Sequence, residues 1–103
     1  MIYELRTYHI LPGKMAEYSQ VFGELMMPGF NKFGFKVIGV WQTAIGESDE
    51  FTCMLAFNDM AERDAKFKLL HADPSMVPYS QQPVRISHIT NKILTSQFYS
   101  PLK

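Results

Sequence analysis

The chain has 103 residues, ten basic and ten acidic side chains and a formal net charge of zero, with 47% apolar and 14% aromatic residues. That is one domain's worth of sequence, too apolar and aromatic for a disordered tail and without the basic excess of a nucleic-acid binder. No apolar run approaches the roughly 18 residues of a membrane helix, no basic-then-apolar leader opens the chain, and the lone Cys53 can close no internal disulfide. The expectation is a cytoplasmic globular domain with no nucleic-acid or membrane partner.

Residues 2–10 (IYELRTYHI) alternate and are rich in β-formers, which predicts a strand. Leu11-Pro12-Gly13 marks a turn. From Lys14 the period changes: Met15, Tyr18, Phe22 and Leu25 recur at helical steps, with Val21 and Met26 beside them. Pro28 is expected to interrupt or kink this helix, and Gly34 to end it. Residues 35–45 predict a long second strand, Gly46 to Asp49 a turn, and Glu50–Phe57 a third strand closing a hairpin. Asp59 followed by Glu62 fits a capping box, so a helix should run from there to about His71 and stop at Asp73-Pro74. Residues 74–84, with three prolines, predict a loop holding at most a short helical turn. Residues 85–95 alternate again and predict the last strand.

The order β-α-β-β-α-β predicts an α+β, ferredoxin-like domain: an antiparallel four-stranded sheet with two helices on one face. On strand one, Tyr3, Leu5, Thr7 and His9 share one side, and Ile2, Glu4, Arg6, Tyr8 and Ile10 the other. Strands two and three have no cleanly polar side. A solvated sheet face should be wetter than this. A second copy packed sheet to sheet would cover it, enclosing a barrel interior between two protomers.

The opening Tyr3-to-Lys14 run YELRTYHILPGK resembles the start of the NIPSNAP family. So do Gly39-Val40-Trp41 with Ile45-Gly46, the helix start Ala61-Glu62-Arg63-Asp64-Ala65, Ala72-Asp73-Pro74 and the closing Ser100-Pro101-Leu102. The blocks follow the family's order over nearly the whole chain. Met76-Val77-Pro78 departs from it where the family often has an acidic-aromatic pair. The resemblance implies a dimeric α+β barrel, the fold that the element order also predicts, and no defined activity.

The residue types that carry chemistry are few. Glu4, Arg6 and Tyr8 share one side of strand one. If that side looks into the barrel, Arg6 could hold a carboxylate or enolate, Glu4 could act as a base, and Tyr8 could donate a hydrogen bond. The competing reading is a structural Glu–Arg network, because a buried charge needs partners. Trp41, with Gly39 two residues before it, is a candidate pocket wall or simple core filling. Thr43 shares its side, and Arg6, Tyr8, Trp41 and Thr43 make up the expected ligand contacts. Of His9, His71 and His88, the mid-strand His88 is the candidate for proton transfer; none has metal-motif spacing. Cys53 sits in an apolar strand and reads as an inert thiol. No nucleophile elbow or phosphate loop is present, so no metal and no cofactor is expected.

The functional expectation is a homodimer that binds or transforms a small hydrophobic or aromatic metabolite without cofactor, in a monooxygenase- or isomerase-like manner. The alternative is a non-catalytic ligand-binding or structural dimer module.

Overall fold

The computed structural model describes all residues from Met1 to Lys103. Strand β1 (Ile2–Ile10) leads into helix α1 (Met15–Val21), a π turn (Phe22–Met26) and helix α2 (Met27–Lys32). Strands β2 (Lys36–Gln42) and β3 (Glu50–Phe57) follow, then helix α3 (Met60–Ala72), a 3₁₀ turn (Pro74–Met76), helix α4 (Val77–Ser80) and strand β4 (Ile86–Thr95). The sheet order is β2-β3-β1-β4 with every neighbouring pair antiparallel. This is the ferredoxin-like α+β arrangement. The protomer is a slab 41 × 36 × 18 Å, one sheet and one helical layer thick. No helix is long and apolar enough to cross a membrane.

Pro28 does not break the first helical stretch. Without an N–H, a proline in an ordinary helix loses a bond and clashes with the carbonyl four residues back. Here the turn before it is widened: the Met27 N–H reaches back five residues to the Phe22 carbonyl, and Pro28 falls in the first turn of α2. Gly34 then ends the helix at φ +70°, with Phe35 N–H bonded to the Phe30 carbonyl and Gly34 N–H to that of Asn31. That reverse turn drops Phe35 into the core before β2 begins.

β2 is shorter than the expected 35–45 stretch. It ends at Gln42, and residues 43–49 turn through Gly46 at φ +133° and Asp49 at φ +62°. A bulge at Ile38 shifts its register against β3. The α3 start is as predicted: Asp59 accepts from the Glu62 N–H at 2.8 Å, while the Glu62 carboxylate accepts from the Asn58 N–H at 3.1 Å.

The core lies between sheet and helices. Tyr8, Ile10, Phe51, Cys53, Leu55 and Phe57 from the sheet meet Tyr18, Phe22, Phe30, Phe67 and Leu70. Aromatic rings dominate it, with Phe22 at 4.9 Å from Phe51 and Phe35 at 5.1 Å from Phe67. The opposite face of the sheet carries Thr7, Thr52 and Thr90 in one row and Leu5, Met54 and Lys92 in the next. No helix covers it. The helices settled on the face with the larger apolar side chains, since that burial releases the most free energy.

Trp41 lies on the open face, 51% exposed, with its indole laid along Gly39. A β-carbon at position 39 would come within 2.3 Å of that ring. Gly39→Ala should therefore lift the only tryptophan off the strand. Its emission should move to longer wavelength while urea denaturation shows a loss of about 1 kcal/mol or less, because the ring is not in the core. Unchanged emission would mean that the indole does not rest on Gly39.

Candidate functional site

β1 is a central strand, bonded to β3 on one side and β4 on the other. Its even-numbered residues from Ile2 to Ile10 point toward the helices. Glu4, Arg6 and Tyr8 therefore face the helical layer and not the open face. The condition under which they would look into a space between two sheets is not met, because the helices cover the side carrying Tyr8, Phe51 and Leu55.

Glu4 is completely buried. Arg6 Nη1 donates to its Oε2 at 2.5 Å, and Arg63 Nε, from the second turn of α3, donates to its Oε1 at 2.5 Å. Arg63 Nη2 also reaches Oε2 at 3.4 Å. Both guanidinium carbons lie 4.9 Å from the Phe67 ring centroid, so the cations are held against an aromatic ring as well. Burial alone would raise the Glu4 pKa, but the bonds and charge of Arg63 and Arg6 outweigh it and hold the carboxyl below its ordinary value. Burial likewise works against the Arg6 charge, yet the Tyr8 and Glu4 oxygens more than offset it and its pKa is raised. No buried side-chain polar atom is left without a partner.

Arg6 Nε donates to the Tyr8 hydroxyl at 3.0 Å. The Tyr8 ring lies 5.7 Å from that of Tyr18, and the Tyr18 hydroxyl shares a 2.8 Å hydrogen bond with that of Tyr79 on α4. Burial raises the pKa of both Tyr8 and Tyr18, and it pushes the Cys53 thiol up to about 11. Glu4, the two arginines and three tyrosines thus run as one series of polar groups from the sheet centre to the segment between α3 and β4.

That segment is tied down along its length. Lys32 bonds Asp73 at 2.8 Å, Met76 is buried in the core, Tyr79 meets Tyr18, and Arg85 bonds Glu17 at 3.0 Å. Two clefts flank Tyr79. One, of about 570 Å³, is walled by Met26, Ala72, Met76 and Val77; the other, of about 210 Å³, by Tyr18, Val21, Val84 and Ile86.

The remaining candidates lie elsewhere. Thr43 Oγ1 donates to Glu50 at 3.0 Å at the end of β2. His88 stacks on His9 across the β1–β4 pair, ring centroids 4.0 Å apart, and its Nδ1 hydrogen bonds with Ser87 Oγ at 2.9 Å. Trp41, Thr43 and His88 occupy the open face, so one sheet separates them from Glu4, Arg6 and Tyr8. Trp41 also borders a cleft of about 340 Å³ at the β2 edge, beside Gly23 and Met27 of the first helical stretch. Sequence reasoning missed Arg63, Tyr18 and Tyr79. The signal for Arg63 was the need itself: a carboxylate on an apolar strand demands cationic partners, and α3 supplies one.

The NIPSNAP family model matches residues 3–101, and the chain belongs to that family. A NIPSNAP family protein from Agrobacterium tumefaciens is 28% identical over 99% of this chain and 98% of its own, with a TM-score of 0.89. An uncharacterised NIPSNAP domain protein from Burkholderia xenovorans is 23% identical over 98% and 99%, with a TM-score of 0.86. A Nitrosomonas europaea protein, provisionally named an antibiotic biosynthesis monooxygenase, shares the fold at 11% identity, 95% and 100% coverage and a TM-score of 0.65. No curated protein matches the chain significantly.

Glu4→Gln should cost about 3 kcal/mol in urea denaturation, because it leaves two part-buried guanidiniums without their anion. The depressed Glu4 pKa also sets a pH window. Its contribution is fully present above the ordinary value of 4.5 and is lost as pH falls through the lower folded value. Stability of the wild type should therefore fall below about pH 4.5 more steeply than that of Glu4→Gln. Parallel curves would show that the carboxylate is not held by the arginines.

Proposed function

We propose that this NIPSNAP domain binds a small hydrophobic or aromatic metabolite on the helix side of its sheet, in the clefts that flank Tyr79. The observation that carries this reading is the Tyr18–Tyr79 hydrogen bond, standing between two largely apolar clefts and backed by Tyr8 and Arg6. Small-molecule sites combine an apolar wall with a few fixed polar groups. Here the wall includes Met26 and Met76, whose unbranched side chains adapt to irregular ligands. The phenols supply hydrogen-bond donors. Arg6 fixes the Tyr8 oxygen from behind and is a positioning residue in this reading.

Binding is better supported than turnover. A general base works best with a pKa near the operating pH. Glu4 is held ionised with its oxygens taken by guanidiniums, and burial moves Tyr8, Tyr18 and Cys53 further from neutrality. Oxygenation or isomerisation rests only on fold-level likeness, which is an analogy.

We also propose that a second copy covers the open face. Its rows run from Thr43, Glu50, His9 and His88 at one end to Lys36, Ala56, Tyr3 and Leu94 at the other. A copy packed in the opposite sense would set the Glu50 row against the partner's row that ends in Lys36, which suits association.

Two experiments test these statements. Titration with 1-anilinonaphthalene-8-sulfonate should give saturable fluorescence, and Ala72→Trp, which fills the larger cleft from an exposed helix end, should weaken it about tenfold or more. Equal binding by the variant would remove the site from the helix side. Native mass spectrometry should show a dimer, and Leu5→Glu, which sets a carboxylate in the middle of the covered face, should give monomers. A wild-type monomer at all concentrations would sink the dimer.

A further inference from the structure

The smaller cleft beside Tyr79 holds a charge that its apolar wall does not explain. Arg85 is the one charged residue that lines it, among Val21, Val84 and Ile86 and the phenols of Tyr18 and Tyr79. Arg85 directly precedes β4, and its carbonyl accepts from the Leu11 N–H at 2.8 Å, which fixes its backbone. The side chain is 14% exposed and is held at two nitrogens. Nε donates to Glu17 Oε2 of α1 at 3.0 Å, and Nη1 donates to Gln82 Oε1 at 3.1 Å. A guanidinium also carries N–H donors on Nη2. Those of Arg85 have no partner within the chain. No buried side-chain nitrogen is left unpaired, so Nη2 is open to a molecule arriving from outside.

The charge is not cancelled locally. Glu17 lies between two cations, Arg85 at 3.0 Å and Lys14 at 3.8 Å, so the three together keep an excess of positive charge. No carboxylate lines the cleft. The phenols add a donor. Tyr18 and Tyr79 share one hydrogen bond of 2.8 Å, which uses one hydroxyl proton and leaves the other free to donate. The volume, about 210 Å³, limits the size of an occupant. An apolar cavity of about 150 Å³ takes up benzene, so this cleft has room for a single ring with a small substituent.

We infer that the smaller cleft selects a compact monocarboxylate and that Arg85 sets this preference for an anion. The inference rests on the reading of the helix-side clefts as a ligand site and names the chemical class that one of them takes. One carboxylate oxygen accepts from Arg85 Nη2 and the other from the spare phenol proton. The apolar body lies against Val21, Val84 and Ile86. The bonds to Glu17 and Gln82 already order the guanidinium, so little freedom is lost when the anion arrives. A neutral compound of the same shape keeps the apolar contacts and loses the charge-assisted bond.

Calorimetry and backbone amide NMR on the full chain test this, with benzoate as the anion and benzyl alcohol as its neutral counterpart. Benzoate should bind saturably and more tightly than benzyl alcohol, shifting amides at Tyr18, Tyr79, Arg85 and Ile86. Arg85→Gln should weaken benzoate about tenfold and leave benzyl alcohol unchanged. Glu17→Gln keeps an acceptor for Nε but removes the competing carboxylate, so benzoate should bind about twofold tighter. That gain has the opposite sign to any effect of damaged folding. Val84→Trp, which fills the cleft from an exposed position, should abolish binding of both compounds. Absence of shifts at these residues with either compound overturns the cleft reading and this inference together. Three results overturn the anion preference alone: benzyl alcohol binding as tightly as benzoate, Arg85→Gln leaving the ratio of the two affinities unchanged, or Glu17→Gln weakening benzoate.

Discussion

A carboxylate buried without exposure on the central strand governs much of this structure. Removing Glu4 from water is costly, and the cost is met only where two guanidiniums close on it together. One comes from the same strand, two residues on. The other comes from α3, fifty-nine positions away in sequence. The ion cluster therefore ties the second helix to the sheet at a defined height, and Phe67, one turn along α3, falls beside both cations and into the aromatic core. The same saturation that holds α3 in place takes Glu4 out of acid–base chemistry. Arg6, held by Glu4, directs its Nε at the Tyr8 hydroxyl, and the Tyr8 ring packs against Tyr18 of the helical layer.

The sheet then divides the chemistry of the chain. On the helix side are the ion cluster, the phenols and the clefts around Tyr79. On the other side are the stacked histidines, Trp41 and the threonine rows. A residue's side is fixed by the parity of its position in the strand, and a bulge such as that at Ile38 resets the parity within a strand. Residues close in sequence, such as Tyr8 and His9, thus belong to different environments, whereas Tyr79 and Tyr18, sixty-one positions apart, share a hydrogen bond.

Much of the fold was legible in the chain. The strand periods, the Asp59–Glu62 cap and the glycine stop at position 34 each rest on local chemistry that acts over a few residues, and β1, β3 and the start of α3 formed where that chemistry placed them. The errors were local too. β2 stopped at Gln42 because the following residues turn through left-handed backbone at Gly46 and Asp49, which alternation does not report. Pro28 was absorbed because the helix widened by one residue in the turn before it, a choice that depends on seating Phe22, Met26 and Phe30 together in the core.

The candidate site was legible only in part. Sequence alone determined that Glu4, Arg6 and Tyr8 share one side of a strand, because alternation is a property of the extended backbone. It also determined that two opposite charges there would need each other, because burial of either alone is prohibitive. Which side the helices would cover was decided by the tertiary structure, through the summed burial of rings from β1, β3 and the helical layer. So were the second arginine on Glu4 and the meeting of Tyr18 with Tyr79, since each joins segments that no local pattern connects.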